Sequence, residues 1–282
     1  MPPIPPAPPP LPARPGLQSE MQPVPQSIAG GYVGAGKLRG QVAIVTGGDA
    51  GIGRATCVLF AREGASVALS YLPTAQSDAD ETATLVAGEG QRCLLLPGDL
   101  LDRAYCDRVV RDTVRHFGRL DVLVNNAADQ QSRPSIGEVD DRPWDRSFRT
   151  NVYAYFYLAQ AALAYLGRGA AIVNVGSVTG LEGSEHLLDH ASTKGAIHAF
   201  TKSLARNLAA KGIRVNAVAP GPVWTPLDLA DGVAQFAEDP PLGRPARPEE
   251  IAPAIVFLAS AIDSSYVTGE VLSLLGGRTT AA

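Results

Sequence analysis

The stretch VAIVTGGDAGIG, residues 42–53, decides the fold that we expect of this chain. A short apolar run is followed by glycines at positions 47, 51 and 53, and helical spacing then continues over residues 51–62. Glycine allows a tight turn and a close approach to the backbone, and the N–H groups at the start of a helix attract anions. The order of strand, glycine-rich turn and helix therefore predicts a loop that holds a pyrophosphate group.

The same alternation of apolar runs and helical segments continues along the chain. The predicted strands are 42–45, 66–70, 92–96, 122–124, 171–175, 213–218 and 271–274, and the predicted helices are 51–62, 78–88, 102–117, 144–166, 191–210 and 249–259. Apolar strands separated by helices predict an α/β fold with a single Rossmann-type, doubly wound parallel sheet and helices on both faces. Ligands of such sheets bind beyond the carboxyl ends of the strands.

Residues 1–36 differ in composition from the rest of the chain. They are rich in proline and glycine, and residues 1–15 are mostly proline, which favours extended polyproline II. We therefore expect a flexible N-terminal arm over residues 1–36 and one folded domain over residues 37–282.

Bulk composition excludes several classes of function. The chain has 282 residues, a net charge of −4 and no basic run, which argues against nucleic-acid binding. No apolar stretch is long enough to span a bilayer, and no secretory signal is visible, so we expect a cytoplasmic protein without a membrane role. The three cysteines show no paired spacing, and the four histidines offer no metal-ligand pattern, so no metal site is predicted.

Two further loops carry residues that suit a dinucleotide lying along the strand ends. Asp99, in the sequence GDL at 98–100, could accept a hydrogen bond from an adenine amino group. The sequence NNAA at 125–128 follows the fourth strand, where small residues let the chain pass close to a ribose. Either loop alone could be an ordinary turn, but together they favour a cofactor site.

The end of the second strand indicates which dinucleotide is preferred. A carboxylate there would bind the free 2′-hydroxyl of NAD and repel the 2′-phosphate of NADP, and residues 70–72, SYL, contain none. They contain no cation either, Ala50 occupies a loop position that could carry one, and Arg54 is the nearest cation. We expect NADP in preference to NAD.

A second stretch, SVTGLEGSEHLLDHASTK at residues 177–194, has the layout of a proton-transfer site. Ser177 follows an apolar strand, and His190 and Lys194 are four residues apart, so a helix that starts near Asp189 places both on one face. A hydroxyl, a titratable ring and a cation then converge at a strand end.

Taken together, these motifs make the chain similar to the short-chain dehydrogenase/reductase family over residues 38–277. The matching stretches are TGGDAGIG (46–53), GDL (98–100), NNAA (125–128), Asn151, Ser177, ASTKGAI (191–197) and PGPVWTP (220–226). The lead-in GAGKL (34–38) and the segment SYLP (70–73) most resemble a bacterial subgroup of glucose/ribitol-type oxidoreductases.

The resemblance implies hydride transfer between a nicotinamide and an alcohol or carbonyl substrate. It implies that Asn151 holds a water against the lysine, that Ser177 hydrogen-bonds the substrate oxygen, and that Lys194 binds the nicotinamide ribose and lowers the pKa of the acid/base group. Residues 220–225 would border the nicotinamide. The family's tyrosine, four residues before the lysine, is replaced here by His190.

The predicted site therefore has a catalytic group, Asn151, Ser177, His190 and Lys194, and a dinucleotide group drawn from the glycine-rich loop and successive strand ends. The dinucleotide group is Thr46, Gly47, Asp49, Ala50, Gly51, Ile52, Gly53, Ser70, Tyr71, Leu72, Asp99, Leu100, Asn125, Asn126, Ala127, Ala128, Lys194, Pro220, Gly221, Val223 and Thr225. The substrate is expected to be a small molecule.

Histidine at position 190 leaves three functions open. Neutral imidazole is a competent base for alcohol oxidation, whereas protonation of an alkoxide needs imidazolium, which Lys194 disfavours. Imidazole is also shorter than a phenol, so a water could bridge the gap. The protein is then a working oxidoreductase with His190 or a relayed water as acid/base, an enzyme for redox-neutral dehydration, cyclisation or isomerisation, or an inactive cofactor-binding or oligomer-partner module.

Other groups near the predicted site have more than one interpretation. Glu185 and His186 could form a second acid/base pair or a solvated loop, and the tyrosines at 153, 155 and 157 are packing or interface residues rather than a replacement phenol. Residues 224–245 are the variable segment in which the family carries a substrate lid, with a short helix over 228–238. The resemblance also implies a homotetramer built from helices 144–166 and 191–210.

Overall fold

One parallel sheet organises the domain. The computed structural model describes residue 11 and residues 16–28, 30–230 and 240–280. Within them, the strands are β1 (Val42–Thr46), β2 (Ser66–Tyr71), β3 (Cys93–Pro97), β4 (Val122–Asn125), β5 (Ala171–Val175), β6 (Arg214–Pro220) and β7 (Val271–Leu274). These seven parallel strands stand in the order β3-β2-β1-β4-β5-β6-β7, which confirms the predicted doubly wound sheet. The strand order reverses between β1 and β4, which is where ligands of such sheets bind.

Helices cover both faces of the sheet, which explains why the central strands are apolar along their whole length. The helices are α1 (Gly51–Arg62), α2 (Gln76–Gly88), α3 (Arg103–Phe117), α4 (Asp141–Phe148), α5 (Ala154–Ala162), α6 (Thr179–Glu182), α7 (Leu188–Leu208), α8 (Pro226–Ala230), α9 (Pro248–Ala259) and α10 (Ala261–Ser264). On one face α1 packs against α9, through Phe60 and Ile255 among others, and on the other face α3, α5 and α7 share a second core around Val109 and Leu158.

The predicted single helix over 144–166 is the main local difference. The helical segment begins earlier, at Asp141, because Pro143 lies in its first turn, where proline is tolerated. It is also interrupted by a π-helical turn, Arg149–Tyr153, before α5 continues to Ala162. Such a turn inserts one extra residue into the helical ladder. Here it carries Asn151 into the interior of the domain.

The described part of the N-terminal arm packs against the domain. Gln18 and Met21 are buried, and Met21 shares a small apolar cluster with Trp224 and Leu229. Residues 1–10 and 12–15, which hold most of the predicted polyproline stretch, lie outside the described residues, as do residues 231–238 of the predicted lid helix.

The three cysteines are free thiols that lie in the core or at its edge. Cys57 and Cys106 are buried and Cys93 is partly buried, and burial raises the pKa of each thiol. These thiols therefore stay protonated at neutral pH. Of the helices in the described ranges, none is both long and apolar enough to cross a bilayer.

Candidate active site

A cavity lies beyond the carboxyl ends of the strands and collects most of the predicted site residues. Its wall includes Gly47, Asp49, Ala50, Gly51, Ile52, Ser70, Tyr71, Leu72, Asp99, Leu100, Asn126, Ala127, Ala128, Ser177, His190, Lys194, Pro220, Gly221, Val223 and Thr225. Thr46, Gly53, Asn125 and Asn151 were also predicted but do not line it. The cavity runs from the glycine-rich loop to the serine–histidine–lysine cluster, as an extended dinucleotide requires.

The glycine-rich loop is packed so closely that side chains would block it. A Cβ on Gly53 would lie 1.9 Å from the carbonyl oxygen of Gly47, and Gly47 itself has φ +62°, which favours glycine. Thr46 lies behind the loop, where its hydroxyl accepts hydrogen bonds from the backbone N–H groups of Asn126 (2.9 Å) and Ala127 (3.0 Å). Thr46 and Gly53 therefore shape the cavity from behind. A cradle of backbone around a helix N-terminus fits a pyrophosphate group.

Asn125 differs from its prediction as a ribose contact. Because side chains alternate along a strand, Asn125 points into the core while Asn126 points to the loop. The Asn125 Nδ2 donates to Asn174 Oδ1 at 2.9 Å, and Asn174 Nδ2 donates to the hydroxyl of Thr201 at 2.9 Å. Asn126 Nδ2 donates to the carbonyl oxygen of Thr46 at 2.8 Å. Asn125 thus ties the sheet to α7 rather than lining the cavity.

Arg54 does not face the cavity, although it was the nearest cation in sequence to the predicted ribose site. Its side chain is 1% exposed. The guanidinium donates to the carbonyl oxygens of Asp49 (2.8 Å) and Asp78 (2.9 Å) and to the Glu81 carboxylate (2.7 Å). Arg54 therefore anchors the glycine-rich loop to α2. Burial, and to a lesser extent the nearby carboxylate of Asp78, raises the pKa of Asp49 to about 6.

His190 and Lys194 lie one turn apart on α7 and are almost fully buried, with exposures of 4% and 2%. Lys194 Nζ donates to the carbonyl oxygen of Val175 at 2.7 Å, and burial lowers its pKa to about 7. Burial, and secondarily the charge of Lys194, lowers the pKa of His190 to about 3. His190 is therefore neutral at physiological pH.

The hydrogen bonding around His190 assigns its tautomer. Its Nδ1 lies 3.3 Å from the carbonyl oxygen of Asp129. A carbonyl oxygen only accepts, so this contact places the ring proton on Nδ1 and leaves a lone pair on Nε2. The ring therefore offers an acceptor, not a donor, through Nε2.

Asn151 fixes the backbone that orients His190. Its Oδ1 accepts from Asp129 N at 2.7 Å, its Nδ2 lies 2.9 Å from Asp129 O, and the same Nδ2 lies 2.9 Å from the hydroxyl of Thr193. Asn151 thus clamps the peptide of Asp129 on both sides. The water that the family resemblance assigns to Asn151 stays a prediction.

Ser177 keeps a proton available for a ligand. Its Oγ accepts from the backbone N–H of Thr179 at 3.2 Å and from the Thr179 hydroxyl at 2.9 Å. Both contacts use the oxygen as acceptor, so the Ser177 O–H is left to donate. Ser177 and His190 together present one donor and one acceptor to the cavity.

Several residues around the cavity were not predicted. Asp129 directly follows the NNAA motif, and extending that loop by one residue would have included it. Its carboxylate lies 3.5 Å from the Arg146 guanidinium, and Gln130 Nε2 donates to Asp228 Oδ1 at 3.2 Å. All four of these residues line the cavity beside His190 or the segment after β6. No periodic pattern in the sequence marks them.

The suggested second acid/base pair and the tyrosines at 153, 155 and 157 do not line the cavity. Glu185 and His186 pair with each other at 3.4 Å on the surface and do not line the cavity. Tyr155 is buried with its hydroxyl 3.4 Å from the carbonyl oxygen of Val175, and Tyr153, the last residue of the π-helical turn, is exposed. Among the described residues, no cluster of three or more His, Cys, Asp or Glu side chains is arranged for a metal ion.

Comparison with known proteins shows that the sequence of this chain is similar to those of oxidoreductases. A family model described as Enoyl-(Acyl carrier protein) reductase matches residues 47–279. The Bacillus subtilis protein named Uncharacterized oxidoreductase YhdF is 50% identical over 269 residues, which cover 94% of this chain and 92% of that protein. NADPH-dependent aldehyde reductase 1, chloroplastic, of Arabidopsis thaliana is 45% identical over 274 residues, or 94% of each chain.

Two further comparisons address the subgroup and the fold. Glucose and ribitol dehydrogenase of Daucus carota is 44% identical over 274 residues, or 94% of each chain. A short chain dehydrogenase from Burkholderia cenocepacia, solved in complex with NADP, superposes with a TM-score of 0.81 at 30% identity, over 86% of this chain and 98% of that one.

Proposed function

Because the chain belongs to the short-chain dehydrogenase/reductase family, we propose that it transfers a hydride between a nicotinamide dinucleotide and a small alcohol or carbonyl substrate. The observation that carries this proposal is the convergence of Ser177, His190 and Lys194 on the cavity that also contains the glycine-rich loop. The loop would hold the pyrophosphate, and Lys194 lies where it could contact the nicotinamide ribose. When bound, the dinucleotide supplies the hydride acceptor or donor.

NADP(H) is the proposed cofactor, in preference to NAD(H). Residues 70–72 carry no carboxylate that would repel a 2′-phosphate. The Burkholderia protein binds NADP, and the Arabidopsis relative is NADPH-dependent. The preference does not depend on Arg54, whose guanidinium is committed to α2.

The proposed direction is alcohol oxidation, which starts from the neutral form of His190. Ser177 donates a hydrogen bond to the substrate oxygen, and His190 Nε2 accepts the hydroxyl proton as hydride leaves the carbon. Burial lowers the pKa of His190 to about 3, so the ring rests in the neutral form from which oxidation starts, and the same low pKa makes it a weak base. Asn151 acts through Asp129 by keeping the ring in the tautomer that accepts. The atypical Asn151–Ser177–His190–Lys194 site is thus suited to work as a dehydrogenase.

The proposal also covers the division of the chain, its oligomeric state and its location. Residues 1–36 form an arm and residues 37–282 the catalytic domain. The exposed aromatic side chains of Tyr153 and Phe156 suit a subunit contact in a homotetramer. We also propose that the protein acts in the cytoplasm on a small-molecule substrate.

Exchange of the histidine tests the proposed chemistry. Wild type should oxidise members of a panel of sugar alcohols and simple alcohols with NADP⁺, and His190→Phe should lose that activity while keeping NADPH binding. His190→Tyr should gain carbonyl reduction with NADPH, because it restores a phenol beside Lys194. If His190→Phe oxidises alcohols as well as wild type does, His190 is not the base. If the wild type binds NADPH but yields only redox-neutral products, hydride transfer is not its reaction.

A further inference from the structure

The N-terminal arm makes a direct contact with the glycine-rich loop. Gln18 is 1% exposed, and its side-chain Oε1 accepts a hydrogen bond from the backbone N–H of Gly51 at 2.7 Å. Its own backbone N–H donates to the Asp78 carboxylate at 2.6 Å. Gly16, two residues earlier, lines the cavity. The arm therefore forms part of the cavity wall at the position where a pyrophosphate is expected.

A second contact joins the arm to the segment after β6, whose Thr225 lies beside Gly51 in the cavity wall. Met21 packs with Trp224 and Leu229, and the indole Nε1 of Trp224 donates to the carbonyl oxygen of Pro23 at 2.8 Å. Trp224 directly precedes residues 225–228, all of which line the cavity. Residues 16–25, which we call the strap, thus connect the glycine-rich loop with the segment after β6.

The chemistry of Gln18 suits a position beside an anion. Gly51 is the first residue of α1, and its N–H has no partner within the helix. Ala50, at the cap position, supplies no side-chain acceptor. The Gln18 amide supplies one without adding negative charge, whereas a carboxylate would also cap the helix but would repel a phosphate group. The Gln18 amide thus satisfies the backbone N–H of Gly51, and the positive end of the helix stays available to bind a phosphate group.

We propose that Gln18 is a positioning residue of the dinucleotide site and that the strap holds the glycine-rich loop and the segment after β6 around the bound pyrophosphate. This inference rests on the proposed function, since it requires that a dinucleotide bind in the cavity. The strap slows dissociation of the dinucleotide because release requires the contacts of Gln18 and Met21 to loosen. It also holds the loop in its binding conformation before the ligand arrives.

Binding measurements on the full chain test the strap without using turnover. The variants are Gln18→Met, which keeps the volume but removes the acceptor, Gln18→Glu, which adds charge, and Gln26→Met, an exposed glutamine of the same arm, as control. NADPH affinity and dissociation rate are followed by nicotinamide fluorescence, and thermal stability is measured beside them. Gln18→Met should raise Kd and the dissociation rate about fivefold, the effect of one hydrogen bond. Gln18→Glu should raise Kd further, by an amount that shrinks as salt is added.

Each result that would contradict the role of Gln18 has its own interpretation. If Gln18→Met lowers thermal stability but leaves Kd and dissociation rate at the wild-type values, Gln18 is only a structural cap and the inference is wrong. If Gln18→Met binds NADPH more tightly than wild type, the arm competes with the ligand, which also overturns it. If Gln18→Glu binds with wild-type affinity, no phosphate lies beside residue 18. Failure of the wild type to bind either NADPH or NADH would instead overturn the proposed function itself.

Discussion

Asn151 and His190 share one acceptor, the main-chain carbonyl oxygen of Asp129, which lies 2.9 Å from Asn151 Nδ2 and 3.3 Å from His190 Nδ1. The Oδ1 atom of Asn151 also accepts a hydrogen bond from the backbone N–H of Asp129. Asn151 lies on the π-helical turn and does not itself reach the cavity. We therefore expect Asn151 to act on the proposed reaction indirectly, by holding the carbonyl that decides which ring nitrogen of His190 carries the proton.

Replacement of Asn151 by alanine should separate chemistry from cofactor binding. Asn151→Ala frees the Asp129 peptide, so His190 loses its fixed tautomer and position, and kcat for alcohol oxidation should fall by about 10- to 100-fold. NADPH affinity should change little, because the glycine-rich loop is untouched. Steady-state kinetics and fluorescence titration measure the two effects. Gln160→Ala, at an exposed position on α5, is the control. A loss of NADPH affinity that matches the loss of kcat would contradict this role.

The pH dependence of oxidation should follow Lys194. Below a pH of about 7 the Lys194 ammonium is charged and depresses the pKa of His190, which weakens the base. Above that pH the lysine is neutral and the imidazole becomes a better acceptor. We therefore expect kcat for alcohol oxidation to rise with pH through about 7, measured at saturating NADP⁺ and alcohol.

Lys194→Arg provides the comparison for that profile, because arginine stays charged throughout the accessible pH range. Its oxidation rate should stay low and lack the rise near neutrality. A wild-type rate that falls as pH increases through this region would contradict the assignment of His190 as base and Lys194 as its modulator.

The sheet and the motifs at its edge were predictable because they depend on local pattern. Strands buried on both faces are apolar without interruption, and glycines at 47 and 53 are required by contacts within a few residues or with the adjacent loop. The structure brings Ser177, His190 and Lys194 to one cavity, and their relative positions follow from one strand end and one helical turn.

The parts that were missed depend on contacts between distant segments. Gln18 meets Gly51 and Asp78 across intervals of 33 and 60 residues, and no periodicity in a proline-rich arm signals such a contact. The direction of Asn125 follows from strand alternation but needed the exact end of β4, which the prediction placed one residue earlier. The π-helical turn at Asn151 was not predicted because the apolar spacing on either side is compatible with a continuous helix.

Arg54 should be a determinant of stability rather than of cofactor choice. Its buried guanidinium donates to the carbonyl oxygen of Asp49 and forms ion pairs with the carboxylates of Asp78 and Glu81. Arg54→Met leaves the Asp78 carboxylate without its cation, and loss of one member of a buried pair costs about 3–5 kcal/mol. Urea denaturation should show this loss, and Arg119→Met, which removes an exposed pair with Asp121, should cost about 1 kcal/mol or less. Equal losses in the two variants would contradict the anchoring role of Arg54.

Acid should destabilise the protein through two buried histidines. The folded-state pKa is lowered to about 3 for His190 and to about 4 for His198, in both cases mainly by burial. Below the unfolded-state pKa of about 6.5 the unfolded chain binds protons that the folded chain does not, so the free energy of unfolding falls as pH decreases from about 6.5 toward 4. A backbone contact with Gly180 favours the charged ring of His198, but burial outweighs it and keeps the pKa low. His198→Leu should make the dependence shallower, and His116→Gln, an exposed histidine on α3, is the matched control. Urea unfolding at several pH values across this window measures how steeply the free energy of unfolding changes with pH. If that slope is the same in His198→Leu as in the wild type, His198 is protonated in the folded protein as readily as in the unfolded chain.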